Sequence, residues 1–285
     1  MGKNILLTGS SGFIASAFRK KLESEGINVI PYDIRNGDDI LDYSQLLKQL
    51  DKADSVWHFA AVADLNRSAV RPYESMEINI RGVYNIAQAC HESHVQMNFI
   101  STCCVYGNCE EFPSTEKTLP NPSELYACSK MAGEYIVLGY HRQFDMDFNI
   151  LRIPTTYGPG MRDELAIAKF IRNAHFNLPI EIHSDGEQTR TYTYIDDLID
   201  ALWLVEYKGI KNEILNVSSH EEISVNQAVD LIKLLTQSKS SIVWGQQRRG
   251  QTFKESISTK KLERLTGWYP KTSFAEGIKK CMTSF

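Results

Sequence analysis

The sequence predicts a doubly wound α/β fold, a parallel sheet with helices on both faces. Strand-like and helix-like patterns alternate from the first residues, the connections between them are short, and a Gly/Ser turn closes the first apolar run. Asn4–Thr8 is that run, and 12–25 follows with helical spacing through Phe13, Ala17 and Leu22. Residues 27–32 read as the second strand, 46–50 as helix and 55–60 as the third strand. Over 74–94 the apolar residues Met76, Ile80, Val83, Ala87 and Cys90 recur in steps of four and three, which puts them on one helix face. Residues 98–102 and Phe148–Ile153 are further strands, separated by a helix over about 124–140. Beyond Pro154 the alternation fades, with helices expected near 164–174, 194–206, 225–237 and 259–266. The runs Tyr157–Gly160, Ser184-Asp185-Gly186 and Gln246–Gln251 read as loops. The division expected is 1–154 for a dinucleotide-binding part and 155–285 for a smaller, mainly substrate-binding part. Some of the latter's segments return to the first.

Composition narrows the function. The chain has 285 residues, 42% hydrophobic and 23% charged, enough to build a core. Its 31 basic and 35 acidic residues leave a net charge of −4, no footprint for nucleic acid or an acidic membrane surface. An anionic ligand must be held locally. No apolar run approaches the ~18–20 residues of a membrane helix. The opening MGKNILLTG predicts no secretory leader, and Leu6 stands where a myristoylation signal needs Ser or Thr. The six cysteines form no metal-site pairing and no secreted framework, so no metal site and a reduced, cytoplasmic setting are expected.

At the first strand-to-helix junction stands Thr8-Gly9-Ser10-Ser11-Gly12-Phe13-Ile14-Ala15. A pyrophosphate needs a tight turn, a bare backbone and the free N–H groups of a helix start. Gly9 and Gly12 supply the turn and the approach, and Ala15 lets the helix lie close to the sheet. A plain strand–helix turn has the same glycines, but its position at the first junction favours the dinucleotide reading. Asp33 ends the second strand about twenty residues on, where a carboxylate accepts ribose hydroxyls and disfavours a 2′-phosphate. That favours NAD over NADP, a preference moderated by Arg35.

Tyr126 and Lys130 are four apart at a helix start, so they share a face, and a neighbouring ammonium is expected to lower the phenol's pKa. Thr102 ends a strand, where its hydroxyl can help hold a substrate alcohol. With these three residues the chain resembles the extended short-chain dehydrogenase/reductase family, specifically its NAD-dependent nucleotide-sugar epimerases and dehydratases. The resemblance runs nearly end to end, through LLTGSSGFIA, HFAAVA (58–63), INIRGVYNI (78–86), YACSKMAGE (126–134), LRIPTTYGPG and DGEQTRTYTYIDD (185–197).

The resemblance implies Thr102, Tyr126 and Lys130 as the catalytic triad. It puts Gly9, Gly12, Phe13, Ile14, Asp33, Asp39, Ile40, Ala60, Ala61, Ala63, Asn79 and Pro154 around NAD, with Tyr126 and Lys130. It implies a nucleoside-diphosphate-sugar substrate touched by Thr102, Cys103, Thr155, Leu165, His183, Arg190, Arg248 and Gln251. The two arginines would clamp the diphosphate. It also implies a homodimer through two helices of each subunit.

Departures bear on the reaction. The dehydratases it resembles carry an acid pair directly after the catalytic Thr; here stand Cys103 and Cys104, and a thiol near pKa ~8.5 is a poor donor to a leaving hydroxyl. Epimerisation through transient oxidation at C4 of the sugar needs no such acid and is the reading expected. Cys104 also coincides with the proton-shuttling Cys of 3,5-epimerases and epimerase/reductases, so it is either a shuttle or a packed bystander. A 4-dehydrogenase, a 4,6-dehydratase and a silent dinucleotide sensor are the remaining alternatives.

Overall fold

The computed structural model describes residues 2–247 and 250–283. A six-stranded sheet runs in the order Glu213–Asn216, Phe148–Ile153, Gln96–Thr102, Ser55–His58, Asn4–Thr8, Asn28–Tyr32, and every pairing is parallel. The order reverses beside the first strand, so a crevice opens at the carboxyl ends of the strands. Both faces of the sheet are covered: all six residues of Phe148–Ile153 are buried, Asn149 and Arg152 among them.

One face is covered by Phe13–Ser24 and Ile195–Tyr207, and the core they share with Ile5, Leu7 and Trp57 continues into Ala166–His175 and Val225–Thr236, which pack on each other. The opposite face packs Tyr43–Leu50, Gly82–Glu92 and Leu125–Phe144 around Leu6, Val56, Phe99 and Ile150. The first core runs on without a break into the C-terminal third, through Leu215, Val217 and Ile278.

Three features depart from the expected elements. The helical stretch expected over 74–94 is three consecutive pieces: Pro72–Met76, a π-helical turn at Glu77–Arg81, and Gly82–Glu92. The last sheet strand, Glu213–Asn216, and the capped helix Phe274–Met282 carry no long periodic signal and were not expected. Short two-stranded pairings, Ile180–His183 with Ile242–Gly245 and Thr189–Arg190 with Ile223–Ser224, frame the C-terminal region. Among the described residues, no helix is long and apolar enough to cross a membrane.

Candidate active site

The glycine turn comes first. Gly9 has φ +66, and a Cβ there would lie 2.7 Å from the Ala60 nitrogen, so only glycine lets the turn close on the next strand. Gly12 opens the helix Phe13–Ser24 with no side-chain cap, which leaves the N–H groups of Phe13 and Ile14 pointing out of the helix start. Asp33 is buried; its Oδ2 accepts from Ser11 N at 2.8 Å and its Oδ1 from Arg35 N at 3.0 Å. Each oxygen keeps a lone pair for a ribose hydroxyl. The Arg35 guanidinium donates to the Ser11 carbonyl at 3.2 Å, across the same turn. The cradle fits a dinucleotide.

The flanking positions divide. Asp39 shapes its own loop, Oδ1 accepting from Leu41 N at 2.9 Å, and Ile40 is only 5% exposed where it packs on Gly82. Ala60 and Ala61 are half-buried, Ala63 is exposed and Pro154 is buried. Asn79, expected against the cofactor, is 1% exposed and acts on the loop instead. Its amide accepts from Val62 N at 2.8 Å and donates to Val62 O at 3.1 Å and Ser129 Oγ at 3.0 Å. The π turn presents it there, tying the loop after Ser55–His58 to the Tyr126–Lys130 helix.

Thr102 ends the strand Gln96–Thr102, and its Oγ1 accepts from Cys104 N at 3.2 Å. Tyr126 and Lys130 lie in the first two turns of Leu125–Phe144. Lys130 is 3% exposed and donates to the Ile100 carbonyl at 2.8 Å; burial brings its pKa down to about 7, while Glu134 one turn on opposes that. Tyr126 corrects the expectation from its spacing. Burial, with the Cys104 thiol adding, pushes the phenol up; Arg162 and the Thr102 hydroxyl pull it back. Lys130 spends its ammonium on a carbonyl, and the cation whose charge lowers Tyr126 is the exposed Arg162, in the loop after Gly160.

Behind Lys130 stands a buried pair. Arg152 forks onto Glu134 at 2.6 and 3.0 Å, Ser101 donates to the same carboxylate at 2.5 Å, and Arg152 also donates to Tyr106 Oη at 2.9 Å. Tyr106 in turn donates to Asn216 at 2.7 Å.

The vicinal cysteines face opposite ways. Cys103, expected on the substrate side, is 2% exposed and turns its thiol to the Arg152 carbonyl at 3.4 Å, because the short helical turn that begins at Cys103 directs it inward. Cys104 is half-buried; burial and then Glu255 push it up to about 11, while the Thr102 hydroxyl and Arg190 pull the other way. Of the expected substrate contacts, Arg190 is half-buried and donates to the Thr189 carbonyl at 2.7 Å, and its charge acts on Cys104. Gln251 is 7% exposed, and its Oε1 has no hydrogen-bond partner among the described residues. Thr155 is half-buried and accepts from Thr193 N at 3.0 Å through its carbonyl. Leu165 departs from expectation: it opens Ala166–His175 and its apolar side chain packs on the main core. His183 is exposed and its ring meets the Gln246 carbonyl at 3.1 Å, with no bond to the Thr102–Tyr126 group. Arg248 lies outside the described residues. Among those described, no group of His, Cys, Asp and Glu could hold a metal ion.

His58 supports the site from beneath. It is fully buried, its Nδ1 pairs with Thr8 Oγ1 at 2.7 Å, and burial, then the Lys130 charge, brings its pKa down from 6.5 to about 3. Between those values the unfolded chain binds a proton that the folded chain does not, so stability rises with pH there and falls on acidification. Going from pH 6.5 to 4.5 is expected to cost about 2–3 kcal/mol through this residue. Thermal unfolding against pH checks it: His58→Gln should flatten that limb relative to the wild type, and an unchanged slope would refute the assignment.

A glycine turn built for a pyrophosphate and a Tyr–Lys pair facing the strand end that carries Thr102 define an extended short-chain dehydrogenase/reductase. Residues 5–218 match the model of the NAD-dependent epimerase/dehydratase family, and the chain belongs to that family. Human dTDP-D-glucose 4,6-dehydratase is 31% identical over 98% of this chain and 88% of its own length. The structure of UDP-glucose 4-epimerase from Thermotoga maritima with UDP-glucose superposes with a TM-score of 0.93 at 28% identity, covering 99% of this chain and 98% of that one. UDP-glucuronic acid 4-epimerase from Bacillus cereus, in complex with UDP-glucuronic acid and NAD, gives 0.92 at 26% identity over the same shares.

The sequence reading missed Arg162, Glu134, Arg152 and Glu255 as parts of the site. Glu134 follows Lys130 by one helical turn, a spacing that could have marked it. Glu255 has no local signal.

Proposed function

We propose that the protein is an NAD-dependent nucleotide-sugar epimerase that works by transient oxidation at C4 of the sugar. The observation that carries this reading is the pair of thiols after Thr102. Cys103 faces the core and Cys104 holds its proton, so the position where loss of water needs a strong acid offers none. Tyr126 takes the C4 hydroxyl proton while Thr102 holds the same oxygen. Arg162 and the Thr102 hydroxyl favour the phenolate that this requires. A bound nicotinamide supplies the hydride acceptor and, on return, the hydride donor. Tyr126 then gives its proton back, and the sugar leaves with C4 inverted if the ketone has presented its other face.

Arg190, with Arg248 by resemblance, neutralises the diphosphate, and the unpartnered Gln251 Oε1 is available to a nucleoside hydroxyl. We assign the cofactor to 1–154 and the substrate mainly to 155–285. All six thiols are free, which supports a cytoplasmic setting. Tyr84 and Tyr135 are 49% and 60% exposed on Gly82–Glu92 and Leu125–Phe144, which supports a homodimer through those helices; sedimentation reads this out.

Dehydration has the human relative's likeness behind it and is the second reading. Incubation with UDP-glucose and dTDP-glucose in D₂O, followed by NMR, separates the two. A C4 epimer without ring deuterium is expected. A 4-keto-6-deoxy product would overturn epimerisation in favour of dehydration, and deuterium at C3 or C5 would make Cys104 a proton shuttle.

A further inference from the structure

We propose that Glu255 sets the substrate class of this site, admitting a sugar that is neutral where it faces Glu255 and rejecting one that carries a carboxylate there. This rests on the reading of the cleft as a nucleotide-sugar site.

The placement follows from how 251–257 is laced between two walls of the cleft. On one side, Phe253 N donates to Asn108 at 2.8 Å, Asn108 donates to the Gln251 carbonyl at 3.3 Å, and Ile257 packs with Cys103, Val105, Tyr106 and Met131. On the other, Thr189 N donates to the Phe253 carbonyl at 2.9 Å, and Glu255 Oε1 accepts from Thr191 N at 3.0 Å and Thr191 Oγ1 at 2.9 Å. Glu255 is thereby held between the turn that begins at Cys103 and the residue after Arg190.

The carboxylate is 7% exposed, and one oxygen is fixed by two donors. The other, Oε2, accepts no hydrogen bond among the described residues. The segment that carries Glu255 runs from Ile257, packed on the residue after Thr102, to the Thr191 contact beside Arg190, which puts the carboxylate between the Thr102 end of the cleft and the arginine assigned to the diphosphate, where the sugar would lie. A carboxylate oxygen left without a protein donor on a mostly buried residue takes a sugar hydroxyl well. A second carboxylate brought against it meets a like charge in a medium of low polarity.

The structural neighbour solved with UDP-glucuronic acid carries a ligand of the class that Glu255 is expected to reject. Binding of UDP-glucose, dTDP-glucose, UDP-glucuronic acid and UDP alone to the NAD-loaded enzyme tests the inference by calorimetry. The wild type should hold UDP-glucose about tenfold or more tighter than UDP-glucuronic acid. Glu255→Gln should shrink that ratio at least several-fold with UDP binding unchanged, whereas Glu255→Asp, which keeps the charge, should preserve it. An unchanged ratio in Glu255→Gln, or wild-type preference for UDP-glucuronic acid, would overturn the role of Glu255. Failure of UDP and of every UDP and dTDP sugar to bind would instead sink the nucleotide-sugar reading beneath it.

Discussion

Tyr126→Phe is expected to lower kcat by about 10²- to 10⁴-fold while changing KM little. The substitution keeps the ring and its packing and removes only the oxygen proposed to take the C4 proton. The chemistry of the site makes the loss large. Burial and the Cys104 thiol push this phenol up on balance, and the Arg162 charge and the Thr102 hydroxyl oppose that only in part, so the base is costly to generate and nothing nearby replaces it. Phe offers neither a base nor a partner for the Thr102 hydroxyl. Steady-state kinetics on the substrate found by NMR checks the prediction, and turnover within threefold of wild type would remove Tyr126 from the mechanism.

Arg152→Met is expected to destabilise the fold by about 3–5 kcal/mol, because it strands the Glu134 carboxylate in a dry interior. Arg152 and Glu134 are 3% and 0% exposed as side chains, so water cannot replace the lost guanidinium. The midpoint of thermal unfolding should fall by about 6–15 °C. The double variant Arg152→Met/Glu134→Leu should recover much of the loss, since it removes the orphaned charge too. A fall of less than 2 °C in the single variant would mean that Glu134 is neutral in the fold. Glu134 also opposes the burial that depresses Lys130, so the pair steadies the charge of the lysine as well as the core.

The parts of this molecule that repeat a rule of backbone geometry were legible in the sequence. Gly9 and Gly12 were readable because a turn that closes on Ala60 tolerates no side chain, and Tyr126 with Lys130 because four residues make one helical turn. The strand Phe148–Ile153 was readable because Phe148, Ile150, Leu151 and Ile153 make a short apolar run, whereas the burial of Asn149 and Arg152 within it was not. What stayed hidden depends on tertiary placement. Four residues such as Glu213–Asn216 carry too little periodicity to be told from a loop. Glu255 reaches the site through pairings with Asn108 and Thr189 that lie 145 and about 64 positions away in the chain. The direction of Tyr126's pKa was misread for a related reason. The helix spacing places Lys130 one turn on, but its ammonium is held by the Ile100 carbonyl, and the upward push on the phenol comes first from burial.

The strand Glu213–Asn216 has a practical bearing on how this protein can be cut. It pairs with Phe148–Ile153 along Asn149, Ile150, Leu151 and Arg152, and so closes one rim of the sheet. A fragment ending at 154 would keep the glycine turn and the Thr–Tyr–Lys group yet lay bare that rim, an open ladder of unpaired amides on an apolar strand. Such an edge invites pairing with the next copy, so the isolated piece should precipitate rather than bind dinucleotide. The nucleotide half is in this sense not a transplantable module: the rim of its sheet is completed by four residues that the ribosome makes some sixty positions later, and one of its faces by Ile195–Tyr207.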